Sequence, residues 1–415
     1  RGLGTRDSSQ DILGVIHAVP EEARELIEKL ISVQSIAGYA YHQFFPLTME
    51  ANMGDAREME DRPQYYSDDF MWTIQAIAAY IKETGNIDFL DQVIPFYEKD
   101  KAGNPIEVGT VREHMDRAIN FTKNDLGAHG LCHLGFADWM DPMNLPTGAE
   151  SAFTTCLLGV AMQERIAIAE MENDHNTIDT LASDYQRIKE NFNKVAWTGE
   201  WYLSYINHKG EPLGSPESPS GKIFSFGQTW PILAGFAEGK YMDKALASVK
   251  KHLSTEHGIK VSTPGFNGYD PNVGGISTYP PGAKENCGIF MHTNPWVIIS
   301  EAIAGNNEQA YEYHANTNPA SKNEIIDIYE LEPYVYAQNI LSDEHPQYGL
   351  ARNSWLSGTA AWMYVAATQY ILGIQPSLNG LRIDPHLPKT WKEASITRKF
   401  RGATYKITLK REQPS

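Results

Sequence analysis

Two carboxylates flank a tryptophan in Gly135-Phe-Ala-Asp138-Trp139-Met140-Asp141-Pro-Met-Asn144, the densest polar-aromatic cluster of the chain. Splitting a glycosidic bond requires a carboxylic acid to protonate the departing oxygen, and an indole beside that acid can desolvate it and hold a sugar ring. One aspartate suffices for that role; the plainer reading is that Asp138 or Asp141 caps a following helix. A second cluster, Tyr279-Pro-Pro-Gly-Ala-Lys284-Glu285-Asn286-Cys-Gly288-Ile-Phe-Met-His292-Thr293-Asn294-Pro-Trp296, sets charged and amide side chains among glycines, prolines and aromatics. His292 is there either a satisfied core histidine or one that faces a ligand. The chain opens on Arg1-Gly2-Leu-Gly4-Thr5-Arg6-Asp7-Ser8-Ser9-Gln10-Asp11, where two arginines and glycine-exposed backbone can grip an oxyanion. Gly2 and Gly4 lack the spacing and preceding strand of a nucleotide-binding loop, and the alternative is a solvated tail. In Arg352-Asn-Ser354-Trp355-Leu-Ser357-Gly358-Thr359-Ala-Ala-Trp362, Ser, Gly and Thr stand where a helix starts. Exposed amides there bind anions, with capping by Ser354 or Ser357 as the alternative.

These clusters must be held by helices, because apolar residues elsewhere recur at three- and four-residue steps. Pro20 and two acids start a helix with Leu26, Ile27, Leu30 and Ile31 on one face, and a second runs from Asp68 to Gly85. Similar stretches fall near 111–124, 152–172, 176–193, 226–238, 241–253, 295–304 and 355–371, separated by Gly- and Pro-rich loops at 127–148, 207–223, 263–288 and 315–322. After Gly373 the pattern changes: Leu381–Ile383 and Thr404–Leu409 read as strands. A mainly α chain of helical hairpins closing into a toroid is expected, although periodicity also fits an open α-solenoid. Lys+Arg 35 against Asp+Glu 52 gives a net charge of −17, which argues against nucleic acid and anionic membrane as partners. Cys132, Cys156 and Cys287 have no metal-ligand spacing and suit a reducing, cytoplasmic compartment. No segment approaches the roughly 20 apolar residues of a membrane span, and no leader pattern opens the chain.

Taken together and in this order, the clusters resemble those of the cellobiose, cellodextrin and chitobiose phosphorylases, glycoside hydrolase family ninety-four. The resemblance covers nearly the whole chain. It rests on Gly4-Thr-Arg6-Asp7-Ser-Ser-Gln-Asp11, Tyr66-Ser-Asp68-Asp69, Asp138-Trp-Met-Asp141, Tyr279-Pro-Pro-Gly-Ala-Lys-Glu-Asn286, His292-Thr-Asn-Pro-Trp296, Glu332-Pro-Tyr-Val-Tyr336 and Ser354-Trp-Leu-Ser-Gly-Thr-Ala-Ala-Trp362. The resemblance implies Asp141 as general acid and Trp139 as lining for the transferred glucose, with Arg1, Asp7 and Glu285 hydrogen-bonding that sugar. Phosphate would be held by Arg6, His292, Ser357 and Gly358, Ser357 standing where the family has threonine. Tyr279, Lys284 and Gln338 fall around the bond and the leaving sugar.

In fold, the resemblance implies an (α/α)6 catalytic barrel over 1–373 and a small C-terminal β-sandwich region over 374–415, without the family's N-terminal β-sandwich. The expected state is a homodimer that needs that domain or a partner chain supplying it. Neither cofactor nor metal is implied, since inorganic phosphate is a co-substrate and replaces the catalytic base. Phosphate would attack the anomeric carbon of a β-glucoside while Asp141, desolvated by Trp139, protonates the leaving oxygen. Two alternatives are an inverting β-glucan hydrolase, whose second carboxylate would activate water, and an inactive carbohydrate-binding fragment or subunit.

Overall fold

The computed structural model describes residues 2–412. Its α-helices are α1 (Thr5–Val15), α2 (Pro20–Ser32), α3 (Asp69–Thr84), α4 (Val111–Asn124), α5 (Ala152–Glu172), α6 (His175–Ala196), α7 (Phe226–Leu233), α8 (Lys240–Leu253), α9 (Asn294–Ile303), α10 (Asn307–Thr317), α11 (Ile326–Tyr329) and α12 (Thr359–Val365), the last continuing as a π turn over Ala366–Ile371. Local signals set several ends: Pro20 occupies the first turn of α2, Thr110 and Glu113 form a reciprocal capping box on α4, and Gly85 closes α3 in the left-handed region at φ 72°.

How widely apolar residues spread around each helix decides its layer. Helices α3, α5, α7 and α9 bury residues around most of their circumference, so each needs neighbours on several sides. Helix α2 buries one stripe, Ala23, Ile27, Leu30 and Ile31, and α6 another, Leu181, Ile188, Phe192 and Ala196; one wall satisfies each. Accordingly α1 packs on α3, α3 on α5, α5 on α7, α7 on α9, α9 on α12 and α12 back on α1. Behind this closed cycle, α2 rests on α1 and α3, α4 on α3 and α5, α6 on α5, α8 on α7 and α9, and α10 on α9. Contrary to the sequence-based expectation, α5 is long and apolar enough to cross a membrane by length and composition. It lies instead among α3, α4, α6 and α7.

Four indoles fill the centre of the cycle: Trp72 of α3, Trp230 of α7, Trp296 of α9 and Trp362 of α12. Their ring centroids lie 5.1–6.2 Å apart, mostly edge to face. All are buried, and at about 25 cal/mol per Å² each withdraws enough apolar surface for roughly 4–6 kcal/mol before the cost of ordering.

The opening segment, for which a solvated tail was one reading, is helix α1. Thr5, Arg6, Ser9, Gln10, Ile12 and Gly14 are all buried, so its first half carries a polar face inward and its second half an apolar one. The C-terminal strands form two separate hairpins, Ile374–Ser377 with Gly380–Ile383 and Glu393–Phe400 with Ala403–Lys410, with no ladder joining them. The second is clamped to α3 by Arg398, which donates to Glu83 at 2.7 and 2.6 Å.

Helix α1 approaches α12 so closely at Gly14 that an added Cβ would lie 2.5 Å from Ala361 Cα and 2.6 Å from its Cβ. Alanine in place of a helical glycine ordinarily gains about 1 kcal/mol, but overpacking a seam costs about 1–3 kcal/mol. Gly14→Ala is therefore expected to lower the urea-unfolding free energy by up to about 2 kcal/mol net. An increase would show that the seam closing the helix cycle has slack.

Candidate active site

Arg6 stands in the first turn of α1, and its guanidinium, almost wholly buried, reaches the segments that flank it. Nη2 donates to Asp68 Oδ1 at 2.9 Å and to the Asp138 carbonyl at 2.8 Å; Nη1 donates to Asp141 Oδ1 at 2.6 Å and to the Trp139 carbonyl at 3.3 Å. Nε lies 3.7 Å from Asp69 Oδ1. Burial works against the charge, but the carboxylates of Asp141, Asp68 and Asp69 hold Arg6 firmly ionised. Asp68 also accepts the Trp72 indole N–H at 2.8 Å, tying this ion-pair network to the tryptophan centre. Asp69 is paired with His42 Nδ1 at 3.0 Å; burial alone would lower the His42 imidazole, yet Asp69 raises it overall.

The two aspartates of the 135–144 loop separate cleanly. Asp138 is fully buried, its Oδ1 accepting from the Met140 amide at 2.9 Å and the Tyr205 hydroxyl at 3.1 Å, and its Oδ2 from the Ser151 hydroxyl at 2.7 Å. Burial raises its carboxyl, while Ser151 and Met140 draw it back. Ser151 in turn caps α5 by accepting from the Thr154 amide, so Asp138 braces a cap and neither aspartate is one. Asp141 has a side chain 53% exposed and faces a cavity of about 590 Å³. The expected desolvation of Asp141 by Trp139 is not found. The Trp139 indole packs away, against Phe290, His292 and Trp296 with centroids 5.7, 5.1 and 4.9 Å distant, because burying that ring on aromatics removes more apolar area than covering a loop carboxylate.

Of the other expected site residues, Arg6, Asp7, Trp139, Glu285, His292, Gln338, Ser357 and Gly358 line the same cavity as Asp141. His292 sits in the turn before α9, where burial and then Arg6 push its imidazole down to about 3. Gly358 is what admits that ring: a Cβ there would lie 2.4 Å from His292 Cε1 and 2.9 Å from Nδ1. Ser357 Oγ accepts from the Thr359 amide at 3.0 Å, but the residue at the N-cap of α12 is Gly358, so neither Ser354 nor Ser357 caps the helix. Gln338 Oε1 accepts from Asn353 Nδ2 at 2.8 Å. Burial pushes the Glu285 carboxyl up to about 7, and its Oε2 has no partner among the described residues. Tyr279 and Lys284 are not among the residues lining the cavity; Lys284 Nζ lies over the Tyr279 ring, 4.7 Å from its centroid. Arg1 lies outside the described residues.

The cavity also takes in Asp11, His42, Gln43, Phe290, Trp355 and Leu356, which sequence reasoning did not assign. Asp11 follows Asp7 by one helical turn and would have been visible had α1 been read as a helix. Gln43 arrives on a short strand, Gln43–Phe44, that pairs with Leu3–Gly4, and His42 immediately precedes it, a tertiary contact with no local signal.

With this geometry in view, comparisons with known proteins fall into line. Residues 1–373 match the catalytic domain of the glycosyl hydrolase 94 superfamily, and the chain belongs to that family. It is 33% identical to the N,N'-diacetylchitobiose phosphorylase of Vibrio proteolyticus over 98% of this chain and 52% of that protein. It is 32% identical to the solabiose phosphorylase of Paenibacillus borealis, over 99% and 51%, and 26% identical to the cellobionic acid phosphorylase of Neurospora crassa, over 98% and 51%. The chain thus spans about half the length of these curated relatives. Among solved structures, a glycosidase captured with glucose shares the fold at TM-score 0.57 and 11% identity, over 93% of this chain and 89% of that one.

Two measurements test this electrostatic account. Removing the cation in Arg6→Ala leaves the buried Asp68 without a counter-charge and Asp69 with His42 alone; a loss of about 3–5 kcal/mol in unfolding free energy is expected. Asp141→Asn, at the open end of the network, should cost about 1 kcal/mol or less, and equal losses would remove Arg6 from the centre of this description. For Glu285, the folded carboxyl titrates at about 7 and the unfolded one near the ordinary value of 4.5, so the folded state binds the proton more tightly. Its stabilising contribution is complete below the unfolded value and is lost as pH rises through about 7. Glu285→Gln cannot ionise and should become progressively more stable relative to wild type across that interval; parallel stability–pH curves would contradict the assignment.

Proposed function

We propose that this chain is the catalytic part of an inverting β-glucoside phosphorylase, which uses inorganic phosphate to split a β-linked gluco-disaccharide or short oligosaccharide into α-glucose 1-phosphate and a shortened sugar. The observation that carries this reading is the convergence of Asp141, Arg6, His292 and Gly358 on one cavity, with the Asp141 carboxylate resting on Arg6 Nη1 at 2.6 Å. That carboxylate occupies a donor suited to a phosphate oxygen. The relatives named above, phosphorylases of several disaccharides, point the same way.

Arg6 is pinned by Asp68 and two carbonyls, whereas Asp141 is half exposed, so Asp141 is the partner that moves. Phosphate arriving at Arg6 displaces it, and the loss of its cation together with the new anion nearby favours the protonated acid. Asp141 then donates its proton to the glycosidic oxygen as that C–O bond breaks, and a phosphate oxygen bonds to the anomeric carbon from the opposite face. Asp7, Glu285 and Trp139 hold the glucosyl ring, Gln338 faces the leaving sugar, and Ser357 and Gly358 complete the anion site beside His292. In this reading the closed helix cycle is the inner ring of an (α/α)6 toroid over 1–373, and 374–415 is an appended β region. The enzyme works in the cytoplasm, as a homodimer that includes the N-terminal β-sandwich of its family.

The test is product analysis on the full-length protein with a β-linked glucobiose, with and without phosphate. Phosphate-dependent α-glucose 1-phosphate is expected, and Asp141→Asn should lower its release by about 10²–10⁴-fold. Phosphate-independent glucose would assign hydrolysis instead, and binding without turnover would make the chain a carbohydrate-binding subunit.

A further inference from the structure

Behind the cavity wall, the Gln10 side chain joins two groups that do not otherwise meet. Its Oε1 lies 2.9 Å from the Trp362 indole nitrogen and 2.8 Å from His292 Nε2, and its Nε2 lies 3.4 Å from the Arg6 carbonyl. An indole N–H only donates and a carbonyl only accepts. The atom facing Trp362 is therefore the amide oxygen, and the atom facing Arg6 the amide nitrogen. Both ends of the side chain give the same orientation, so hydrogen-bond chemistry alone fixes the amide. An amide oxygen can only accept, so His292 Nε2 carries a proton. The ring is buried apart from its edge on the cavity and stands beside the Arg6 cation, two effects that push its imidazole down to about 3 and keep it neutral. Nδ1 is then a bare lone pair. It makes no hydrogen bond among the described residues and lies on the Gly358 side of the ring.

We propose that Gln10 is a positioning residue that fixes His292 as the Nε2–H tautomer, so that the cavity offers Nδ1 as an acceptor and selects an oxyanion that still carries a proton. This rests on the assignment of phosphate to His292 in the proposed function. Hydrogen phosphate presents a P–OH that donates to Nδ1, which turns its unprotonated oxygens toward Arg6 and the anomeric carbon. Hydrogen arsenate can do the same. Sulfate has the same size and the same double charge but no proton, so one of its oxygens would face the Nδ1 lone pair. An unmade hydrogen bond with two facing acceptors discriminates by roughly tenfold or more.

The experiment uses the full-length protein and compares the KM for phosphate with the inhibition constant of sulfate, in wild type, Gln10→Leu and Gln10→Glu. Wild type is expected to prefer phosphate at least about tenfold. Gln10→Leu, which cannot accept from Nε2, should raise the phosphate KM by a similar factor while leaving the sugar KM within about twofold, a split that general unfolding does not produce. Gln10→Glu restores an acceptor to both Trp362 and His292, but its carboxylate favours a doubly protonated ring. Phosphate binding should recover and sulfate should now compete almost equally. Neutron diffraction of the unliganded protein gives a readout independent of turnover: a deuteron on His292 Nε2 and none on Nδ1. A deuteron on Nδ1 alone, sulfate equal to phosphate in wild type, or an unchanged phosphate KM in Gln10→Leu would each overturn the inference while leaving phosphorolysis intact. Absence of any phosphate-dependent product would overturn the phosphorylase reading and this inference with it.

Discussion

The site is organised around the buried guanidinium of Arg6, whose two terminal nitrogens are answered by protein acceptors while its Nε, 3.7 Å from Asp69 Oδ1, has no hydrogen-bond partner among the described residues. Arg6 draws Asp68 from the start of α3, two carbonyls from the 135–144 loop and the Asp141 carboxylate to within hydrogen-bonding distance. A buried ion-pair network of this kind is weak evidence for stability, because desolvation offsets much of the attraction. What it does confer is position. The carbonyls of Asp138 and Trp139 can meet Arg6 only if the loop turns in one way, and the Asp138 side chain, held by Met140, Tyr205 and Ser151, makes that turn rigid. Asp141 is thereby delivered to the cavity on a fixed backbone while its own side chain keeps freedom to move.

The same division into fixed and movable parts extends across the cavity. His292 is held by Gln10 on one edge, faced by Trp139 at 5.1 Å and fitted against Gly358. Gln10 is tied to Trp362 and Arg6 to Trp72 through Asp68, so both polar anchors are joined to the packed indoles at the centre of the helix cycle. Close-packed aromatics resist small displacements, which suits groups whose positions must hold to fractions of an ångström. At the mouth, by contrast, Trp355 and Leu356 are 70% and 64% exposed on a segment where Asn353 and Trp355 both have positive φ.

Much of the helical body was legible because inner and outer helices differ in how far their apolar residues wrap around, and that difference is written in three- and four-residue spacing. Residues 111–124 and 152–172 were read to the residue as α4 and α5. Helix α1 was not, since Thr5-Arg-Asp-Ser-Ser-Gln-Asp turns its polar side chains toward a cavity and so shows no apolar stripe. The membrane test on α5 failed for the opposite reason, a core helix being apolar all round. Residue types pointed to an acid among Asp138 and Asp141, to His292 and to the Ser357-Gly358 turn, and the family resemblance chose Asp141; neither told which aspartate is buried, which depends on Tyr205 and Ser151 arriving from elsewhere. Tyr279 and Lys284 sat in a motif rich enough to suggest a site, and the fold sets the Lys284 ammonium over the Tyr279 ring, a contact that no local signal announces.

In the proposed reaction an acidic chain must receive an anion, and the cavity sharpens that electrostatic problem by adding Asp7, Asp11, Asp141 and Glu285 to its wall. Enclosure supplies part of the answer. Burial raises the Asp7 carboxyl, and burial together with Asp7 lifts Asp11 to about 6, while Glu285 reaches about 7. Glu285, at about 7, is partly protonated at neutrality and then donates a hydrogen bond as well as accepting one, as a sugar hydroxyl does. Among the described residues of the wall Arg6 is the one strong cation, and it is paired with the carboxylates of Asp68 and Asp141. In the proposed reaction an incoming phosphate therefore meets a wall whose charge is partly quenched by protons and a guanidinium whose positive field is released by its own arrival. This favours the anion only where the acid can step aside, and so links phosphate binding to the readiness of the proton donor.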